Sequence, residues 1–124
     1  MVVDKIMVCG GRDFNNEAML FHALDELLLS LQSHETKCYT LIAGAARGAD
    51  TLAAVYAKNN NLKLEEYPAE WDKYGKSAGY RRNTDMVDAS DMVVAFWDGK
   101  SKGTKHSIDL ALSKGKHLLV IHYE

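Results

Sequence analysis

The sequence has little proline, few cysteines and almost no net charge, and each shortage excludes a class of protein. A single proline among 124 residues, with no low-complexity tract, gives no indication of a linker or a repeat array. The two cysteines, Cys9 and Cys38, stand far apart and outside any metal-binding spacing, which favours a reduced cytosolic protein over a disulfide framework or a structural zinc site. A net charge of -2 provides no general field for a polyanion, so phosphate binding has to come from local groups.

Long apolar runs are also missing from the sequence. No segment approaches the ~20 apolar residues of a membrane span. The amino terminus lacks the basic start and the longer apolar stretch of a signal peptide. We therefore expect a soluble, cytoplasmic protein without a membrane partner. Its length fits one ordinary domain over residues 1–124.

The sequence does contain a regular alternation of short apolar runs with helical patterns. Five runs predict strands, at residues 5–9, 39–43, 62–67, 91–96 and 117–123. Four stretches predict helices, at about residues 16–32, 48–60, 78–89 and 104–114. Strict alternation implies parallel strands joined by right-handed crossovers. The predicted fold class is α/β: a single-domain, three-layer Rossmann-like fold with a five-stranded, mainly parallel sheet and about four helices.

Two features fall outside this pattern. Residues 68–80 read as the only long irregular connection, and a loop of that length in a small domain is usually functional or mobile. Phe21 and Leu29 lie off the apolar stripe of the first helix, where they either complete the core or face a second subunit.

Glycine-containing turns follow the first, second and fourth predicted strands. They are GGRD at residues 10–13, GAARGAD at 44–50 and DGKSKGT at 98–104. In a doubly wound sheet the carboxyl ends of the strands lie along one edge, so these turns should meet there. Each turn leads into a helix amino terminus, where free N–H groups and the helix dipole receive phosphate. The sequence therefore predicts an anion-binding edge, and it predicts no metal site.

The side chains in these turns have predicted roles. Phosphate is assigned to Arg12, Arg47, Ser101, Gly103 and Thr104, and sugar hydroxyls are assigned to Asp13 and Asp50. The other candidates are backbone or turn positions of the same loops: Gly10, Gly11, Gly44, Ala45, Gly48, Asp98 and Gly99. Bare backbone at residues 44–49 would let a phosphate approach, and a valine at Gly48 is expected to block it without unfolding the protein.

A structural interpretation of the same residues stays open. Glycine is often needed for turn geometry alone, Asp50 can complement a helix dipole, and Ser101 or Thr104 can be a helix N-cap. None of the three turns has the GxGxxG or GxxxxGK[ST] spacing, so ATP hydrolysis by a P-loop mechanism is not supported.

Four ordered motifs, GGRDF, AGAARGADTLA, EWDKYGKSAGYRRNTDMV and DGKSKGTKHSIDLA, resemble the SLOG superfamily and, within it, the small YspA-like family also called the DUF2493 domain. The resemblance covers nearly the whole chain. It implies a Rossmann-like domain that binds a small nucleotide or nucleotide-derived molecule, as a sensor, carrier or sink, with no further cofactor required. Trp71 or Tyr74 would cover the base, and Arg82 would orient phosphate or ribose.

A more distant resemblance, to the cytokinin-activating LOG phosphoribohydrolases, implies an enzyme that cleaves the base from a nucleoside monophosphate. Arg82, Met86 and Asp91 reproduce the spacing of one motif in those enzymes. The catalytic glutamate of their PGGxGTxxE motif is absent, because Lys105, His106 and Ser107 follow Thr104 here. The resemblance leaves Arg82 with His106 or Asp109 as the catalytic candidates. LOG relatives form dimers, and with the leucine-rich first helix this predicts a homodimer.

A third resemblance links AGAARGAD to the glycine loop of the DNA-processing protein DprA, which implies single-stranded DNA as a partner. Residues 71–82 interleave rings with positive charge, as a single-strand binding groove would: Trp71, Lys73, Tyr74, Lys76, Tyr80, Arg81 and Arg82. The same segment suits a lid over one nucleobase. The slightly acidic net charge ranks nucleic acid below a small nucleotide as the ligand.

Overall fold

A computed structural model describes residues 3–31 and 39–124, so Cys38 and the predicted end of the first helix at residue 32 lie outside the described residues. The elements alternate along the chain as β1 (Lys5–Gly10), α1 (Glu17–Leu31), β2 (Thr40–Ala43), α2 (Ala49–Asn59), β3 (Lys63–Glu66), α3 (Trp71–Tyr74), α4 (Ala78–Ala89), β4 (Met92–Trp97), α5 (Lys102–Ser113) and β5 (His117–His122). Within the described ranges, no helix is long and apolar enough to cross a membrane.

All neighbouring strands pair in parallel, in the order β3-β2-β1-β4-β5. Strand order therefore reverses between β1 and β4, where Ile6 pairs with Met92 and Gly10 pairs with Phe96. A crevice opens at the carboxyl ends of the two strands flanking such a reversal, since the loops that follow them leave in opposite directions. This topology confirms the predicted Rossmann-like α/β fold.

Side chains of β1 alternate between two apolar cores, because successive residues of a strand point to opposite faces of the sheet. Ile6 and Val8 pack in the core that contains buried residues of α1 and α2. Met7 and Cys9 pack in the core that contains buried residues of α4 and α5. The sheet is thus covered on both faces, as the continuous apolar runs of β1 and β4 predict.

The segment predicted to be an irregular connection, residues 68–80, is ordered into short helical turns. The Glu70 carbonyl accepts hydrogen bonds from the amides of Lys73 and Tyr74 at 3.1 and 3.0 Å, which closes α3. A 3-10 turn over Gly75–Ser77 then leads directly into α4. The prediction was wrong here because α3 buries no side chain, so it leaves no apolar periodicity in the sequence.

The two apolar residues outside the stripe of α1 have different environments. Phe21 packs edge-on against Tyr56 of α2, with ring centroids 5.1 Å apart, so it belongs to the core. Leu29 is 65% exposed, which leaves it available to a second subunit or to solvent.

Candidate functional site

A cavity of about 500 Å³ lies at the carboxyl ends of β1 and β4, where the strand order reverses. Its volume falls within the range of about 300–1,000 Å³ that is usual for small-molecule sites. The wall is formed by the loops after β1, β2 and β4 together with α3, α4 and the first turns of α5. Its lining residues are Cys9, Gly10, Gly11, Arg12, Asp13, Ala46, Asp50, Trp71, Lys76, Gly79, Tyr80, Arg82, Asn83, Met86, Ser101, Gly103, Thr104 and Ser107.

The structure brings about half of the predicted site residues to this wall. Those that line it are Gly10, Gly11, Arg12, Asp13, Asp50, Trp71, Arg82, Ser101, Gly103 and Thr104. Those that do not are Gly44, Ala45, Arg47, Gly48, Tyr74, Asp98, Gly99, His106 and Asp109. The second group divides into residues that shape the loops and residues that face away from the cavity.

Arg82 enters the cavity wall from α4 and does not lie on the outer surface of its helix. Its Nη1 donates to the carbonyl of Tyr67 at 3.4 Å, and its Nε donates to Oδ1 of Asn83 at 3.1 Å. The neighbouring Arg81 points elsewhere and lies over the ring of Tyr74, 4.3 Å from its centroid. Only one of the two adjacent arginines therefore offers its charge to the cavity.

Gly44 is required because Arg82 and Asp50 both approach its backbone. A Cβ at this position would lie 2.9 Å from Asp50 Oδ2 and would collide with Arg82 Nη1. The absence of a side chain therefore lets the guanidinium and the carboxylate sit close together at the end of β2. This is a packing role, and it explains why Gly44 itself is not part of the wall.

Burial raises the pKa of Asp50 to about 6, and the positive charge of Arg82 offsets part of that rise. The same burial lowers the pKa of Arg82, while Asp50 acts in the opposite direction. Arg82 remains charged at neutral pH because a guanidinium starts from a pKa above 12. The cavity thus contains a carboxyl whose charge changes within the physiological range of pH.

We expect Asp50→Asn to stabilise the protein above pH 6 and to leave its stability unchanged below pH 4. A folded-state pKa raised from 3.8 to about 6 means that ionised Asp50 opposes folding. This opposition grows as pH rises between these values and is complete above the folded pKa. The gain has an upper limit of about 3 kcal/mol, at ~1.4 kcal/mol per pKa unit, and access of solvent to the cavity reduces it. Urea unfolding at pH 4, 5, 6 and 7 measures it, and an equal gain at pH 4 and pH 7 would contradict this origin.

Gly48 holds the turn before α2 in a conformation that only glycine adopts readily. Its φ is 78° and its ψ is -126°. A Cβ here would collide with the carbonyl oxygen of Gly11 and lie 2.8 Å from the carbonyl carbon of Arg12. The next amide, that of Ala49, donates to the Gly11 oxygen at 3.3 Å. The loop after β2 is therefore packed against the loop after β1.

The expectation that bare backbone at residues 44–49 receives phosphate stays a prediction, and two amides of this range already have acceptors within the protein. The Ala46 amide donates to Asp50 Oδ2 at 3.3 Å, and the Ala49 amide is occupied by Gly11. Ala45 and Arg47 are exposed outside the cavity. The glycines of this loop serve close packing of the protein with itself.

The loop after β4 is held by its own side chains and leads into the amino terminus of α5. Asp98 Oδ1 accepts from the amides of Lys100 and Ser101, both at 2.8 Å, and these bonds lower the pKa of its carboxyl. Ser101 caps α5 by accepting from the Thr104 amide at 3.4 Å. Among the described residues, the amides of Lys102 and Gly103 have no such acceptor, and Gly103 borders open space. Asp98 and Gly99 therefore shape the loop, while Ser101, Gly103 and Thr104 at the start of α5 line the cavity.

Aromatic side chains come from the short helix and the start of α4. Trp71 and Tyr80 line the cavity while remaining 50% and 46% exposed. Tyr74 faces a second, smaller cavity of about 250 Å³ on the other side of Arg82. The ring that accompanies Trp71 in the wall of the larger cavity is thus Tyr80 and not Tyr74.

Asn83 is a site residue that the sequence analysis missed. It is 7% exposed, its Oδ1 accepts from Arg82, and its Nδ2 donates to the Gly103 carbonyl at 3.4 Å. The side chain therefore links Arg82 to the first turn of α5. Its position beside Arg82 in the RRNTDM motif was the available signal, since a buried amide needs several partners.

Of the three residues predicted to carry phosphoribohydrolase chemistry, Arg82 lines the cavity, whereas His106 and Asp109 do not. Asp109 is exposed and pairs with Lys105 at 2.9 Å. His106 is not part of the cavity wall and packs edge-on against Tyr80, with ring centroids 4.6 Å apart. Asp91 precedes β4 and accepts from the amides of Asp4 and Lys5, so it lies at the opposite edge of the sheet from the cavity. Of the three residues with LOG-like spacing, Arg82 and Met86 therefore line the cavity, and Asp91 does not.

A doubly wound parallel sheet with a ligand-sized cavity at its strand reversal defines a Rossmann-like domain. The described residues contain no group of three or more side chains arranged to hold a metal ion. Within this class, the chain belongs to the YspA, cpYpsA-related SLOG family, whose model matches residues 4–74. The family predicted from the sequence motifs is confirmed.

The chain is similar to three known proteins, one in sequence and two in structure. It is 33% identical over 118 residues to the Gene 61 protein of Mycobacterium phage D29, with 90% of each chain covered. The structure of DNA processing protein A from Streptococcus pneumoniae matches 98% of this chain with a TM-score of 0.76 and 17% identity. DNA processing protein A from Helicobacter pylori, whose structure was described for its single-stranded DNA binding mode, matches 98% with a TM-score of 0.70 and 18% identity. This chain spans 51% and 66% of those two proteins, and at such low identity the likeness shows the fold alone.

Proposed function

We propose that the cavity between β1 and β4 binds a nucleotide or nucleotide-derived small molecule. The observation that carries the proposal is the convergence of three kinds of group on one cavity: cationic side chains, a helix amino terminus and aromatic rings. Arg12, Arg82 and the first turn of α5 suit a phosphate. Trp71 and Tyr80 suit a base, because both rings are within the wall and still accessible.

The charge balance of the wall supports a small anion and not a polymer. Three cationic side chains line the cavity, namely Arg12, Lys76 and Arg82. Two carboxylates, Asp13 and Asp50, lie among them. This leaves a slight local excess of positive charge within a chain whose net charge is -2. A phosphate monoester fits this excess, whereas a strand of DNA would also meet the acidic remainder of the surface.

Single-stranded DNA is the second candidate because of one surface feature. Trp71 and Tyr80 are half-exposed, and Lys73, Lys76 and Arg81 lie on the same short segment. Stacking rings among positive charges are the usual elements of single-strand binding. The fold shared with DNA processing protein A agrees with this candidate.

A thermal-shift screen with AMP, ADP-ribose, NAD, cyclic nucleotides and a short DNA strand tests the proposal. We expect at least one mononucleotide-type ligand to stabilise the protein by about 2.7 kcal/mol at ~100 times its dissociation constant. Stabilisation by the DNA strand alone would reject the proposal in favour of the second candidate. Incubating the stabilising ligand with the protein and analysing the mixture for free base then shows whether the ligand is turned over.

A further inference from the structure

Asp50 is an acceptor whose bonding capacity is largely unused. A carboxylate offers about four lone-pair sites. Among the described residues, one hydrogen-bond donor reaches it, the Ala46 amide at 3.3 Å on Oδ2. The side chain lines the cavity, and burial deprives it of most of its water. A bound molecule that supplies an O–H or N–H donor would therefore gain more here than at a solvated carboxylate.

The position of Asp50 relative to the cations decides which donor it meets. Arg82 and Arg12 both act on its charge, and Arg82 shares the space above Gly44 with it. A phosphate held by these guanidinium groups places the adjoining part of a nucleotide beside Asp50. That part is the sugar, and the only hydrogen-bond donors of a sugar are its hydroxyls. Trp71 and Tyr80, which suit the base, come from the separate segment formed by α3 and α4.

We propose that Asp50 accepts hydrogen bonds from a ribose hydroxyl and so makes the site selective for ribonucleotides over deoxyribonucleotides. This inference rests on the proposed nucleotide site and names its ligand class. A hydrogen bond to a charged group contributes about 1.5–3 kcal/mol, which corresponds to roughly 10-fold to 100-fold in affinity. Discrimination of that size also separates this site from one that binds single-stranded DNA, whose sugars lack the 2′-hydroxyl.

The test is calorimetric titration of AMP, 2′-deoxy-AMP and 3′-deoxy-AMP into the wild type and into Asp50→Ala at pH 7.5. At this pH Asp50 is ionised, since its pKa is about 6. We expect the wild type to bind AMP at least about 10-fold more tightly than 2′-deoxy-AMP, while 3′-deoxy-AMP shows whether the 3′-hydroxyl also contributes. We expect this ratio to fall below about 2 in Asp50→Ala. Asp88→Ala is the matched control, because Asp88 is an exposed carboxylate of α4 that pairs with Lys114 away from the cavity, and it should keep the wild-type ratio.

The outcomes separate this inference from the proposed function. Equal binding of AMP and 2′-deoxy-AMP by the wild type, or a ratio between them that survives in Asp50→Ala, would overturn the role of Asp50 while leaving a nucleotide site intact. Failure of every nucleotide ligand of the thermal-shift screen, including AMP, ADP-ribose and NAD, would instead reject the nucleotide site itself. If Asp50→Ala does not fold, Asp50→Asn replaces it. A neutral amide accepts a weaker hydrogen bond, so the ratio must then fall by at least about threefold.

Discussion

Replacing Arg82 with alanine should weaken the binding of a nucleoside monophosphate by about 1.5–3 kcal/mol, the range for hydrogen bonds to charged groups. The matching nucleoside should lose much less. Arg82 lines the cavity, and a guanidinium contact to phosphate is charge-assisted and often bidentate. Titration of the variant with a nucleoside and with its monophosphate measures both losses. Unfolding curves of the variant are needed as a control, because removal of Arg82 leaves the carboxylate of Asp50 without the neighbouring guanidinium.

Arg81→Ala is the matched control for this experiment. The two arginines are adjacent in sequence and on the same helix, yet Arg81 stacks on Tyr74 and its Nε donates to Ser77 Oγ at 3.2 Å. An exposed interaction of this kind contributes at most about 1 kcal/mol. We expect Arg81→Ala to bind both ligands as the wild type does. Equal and small losses for both ligands in Arg82→Ala would remove Arg82 from the site.

Replacing Gly48 with valine should destabilise the fold by about 3 kcal/mol or more, contrary to the expectation from the sequence that the variant stays folded. The change combines the cost of a glycine-only backbone conformation with that of overpacking. The added side chain would meet the backbone of Gly11 and Arg12, neither of which can move without disturbing the loop after β1. Urea unfolding of the variant measures the loss. A folded variant of near wild-type stability would show that the φ of 78° is not required.

Gly103→Val is the counterpart that affects binding without unfolding the protein. Gly103 lines the cavity in the first turn of α5, and nothing lies within 4 Å of the position that its Cβ would occupy. Valine is tolerated in a helix at least as well as glycine. We expect stability to be kept and nucleotide binding to be lost, since the side chain would occupy the space next to the free amides. Unchanged affinity in a folded Gly103→Val variant would place the phosphate elsewhere.

The architecture could be predicted from the sequence because the strands and helices carry strong apolar periodicity. The apolar runs of β1 and β4 and the apolar stripe of α1 can be recognised from residue type alone, because buried positions are occupied by apolar residues. Strand bounds differ from prediction by a residue at most ends, and α5 begins at Lys102 because Ser101, and not Thr104, is its cap. The short helix α3 was not predicted, because every one of its residues is at least partly exposed and the segment has no apolar pattern.

The sequence predicted which loops form the candidate site, but it did not predict what the individual residues of those loops contact. A glycine gives the same sequence signal whether its missing side chain makes room for a ligand or for another part of the chain. Gly44 and Gly48 admit Arg82 and the Gly11 carbonyl, while Gly103 borders open space. These differences arise from contacts between segments remote in sequence, and a local pattern contains no information about them. The position of Tyr80 in the cavity wall and the burial of Asn83 depend on the packing of α4 against α5 in the same way.

The loop after β1 is held by a residue from the far end of the sequence. Tyr123 donates its hydroxyl to Asp13 Oδ1 at 3.0 Å across a separation of 110 residues, and its ring packs edge-on against Phe14. β4, which forms the other side of the crevice, is also made late. During synthesis, the loop after β1 is therefore made before β4 and before Tyr123, whose hydroxyl bonds to Asp13. The crevice between β1 and β4 is therefore completed only when residues 92–123 have been synthesised.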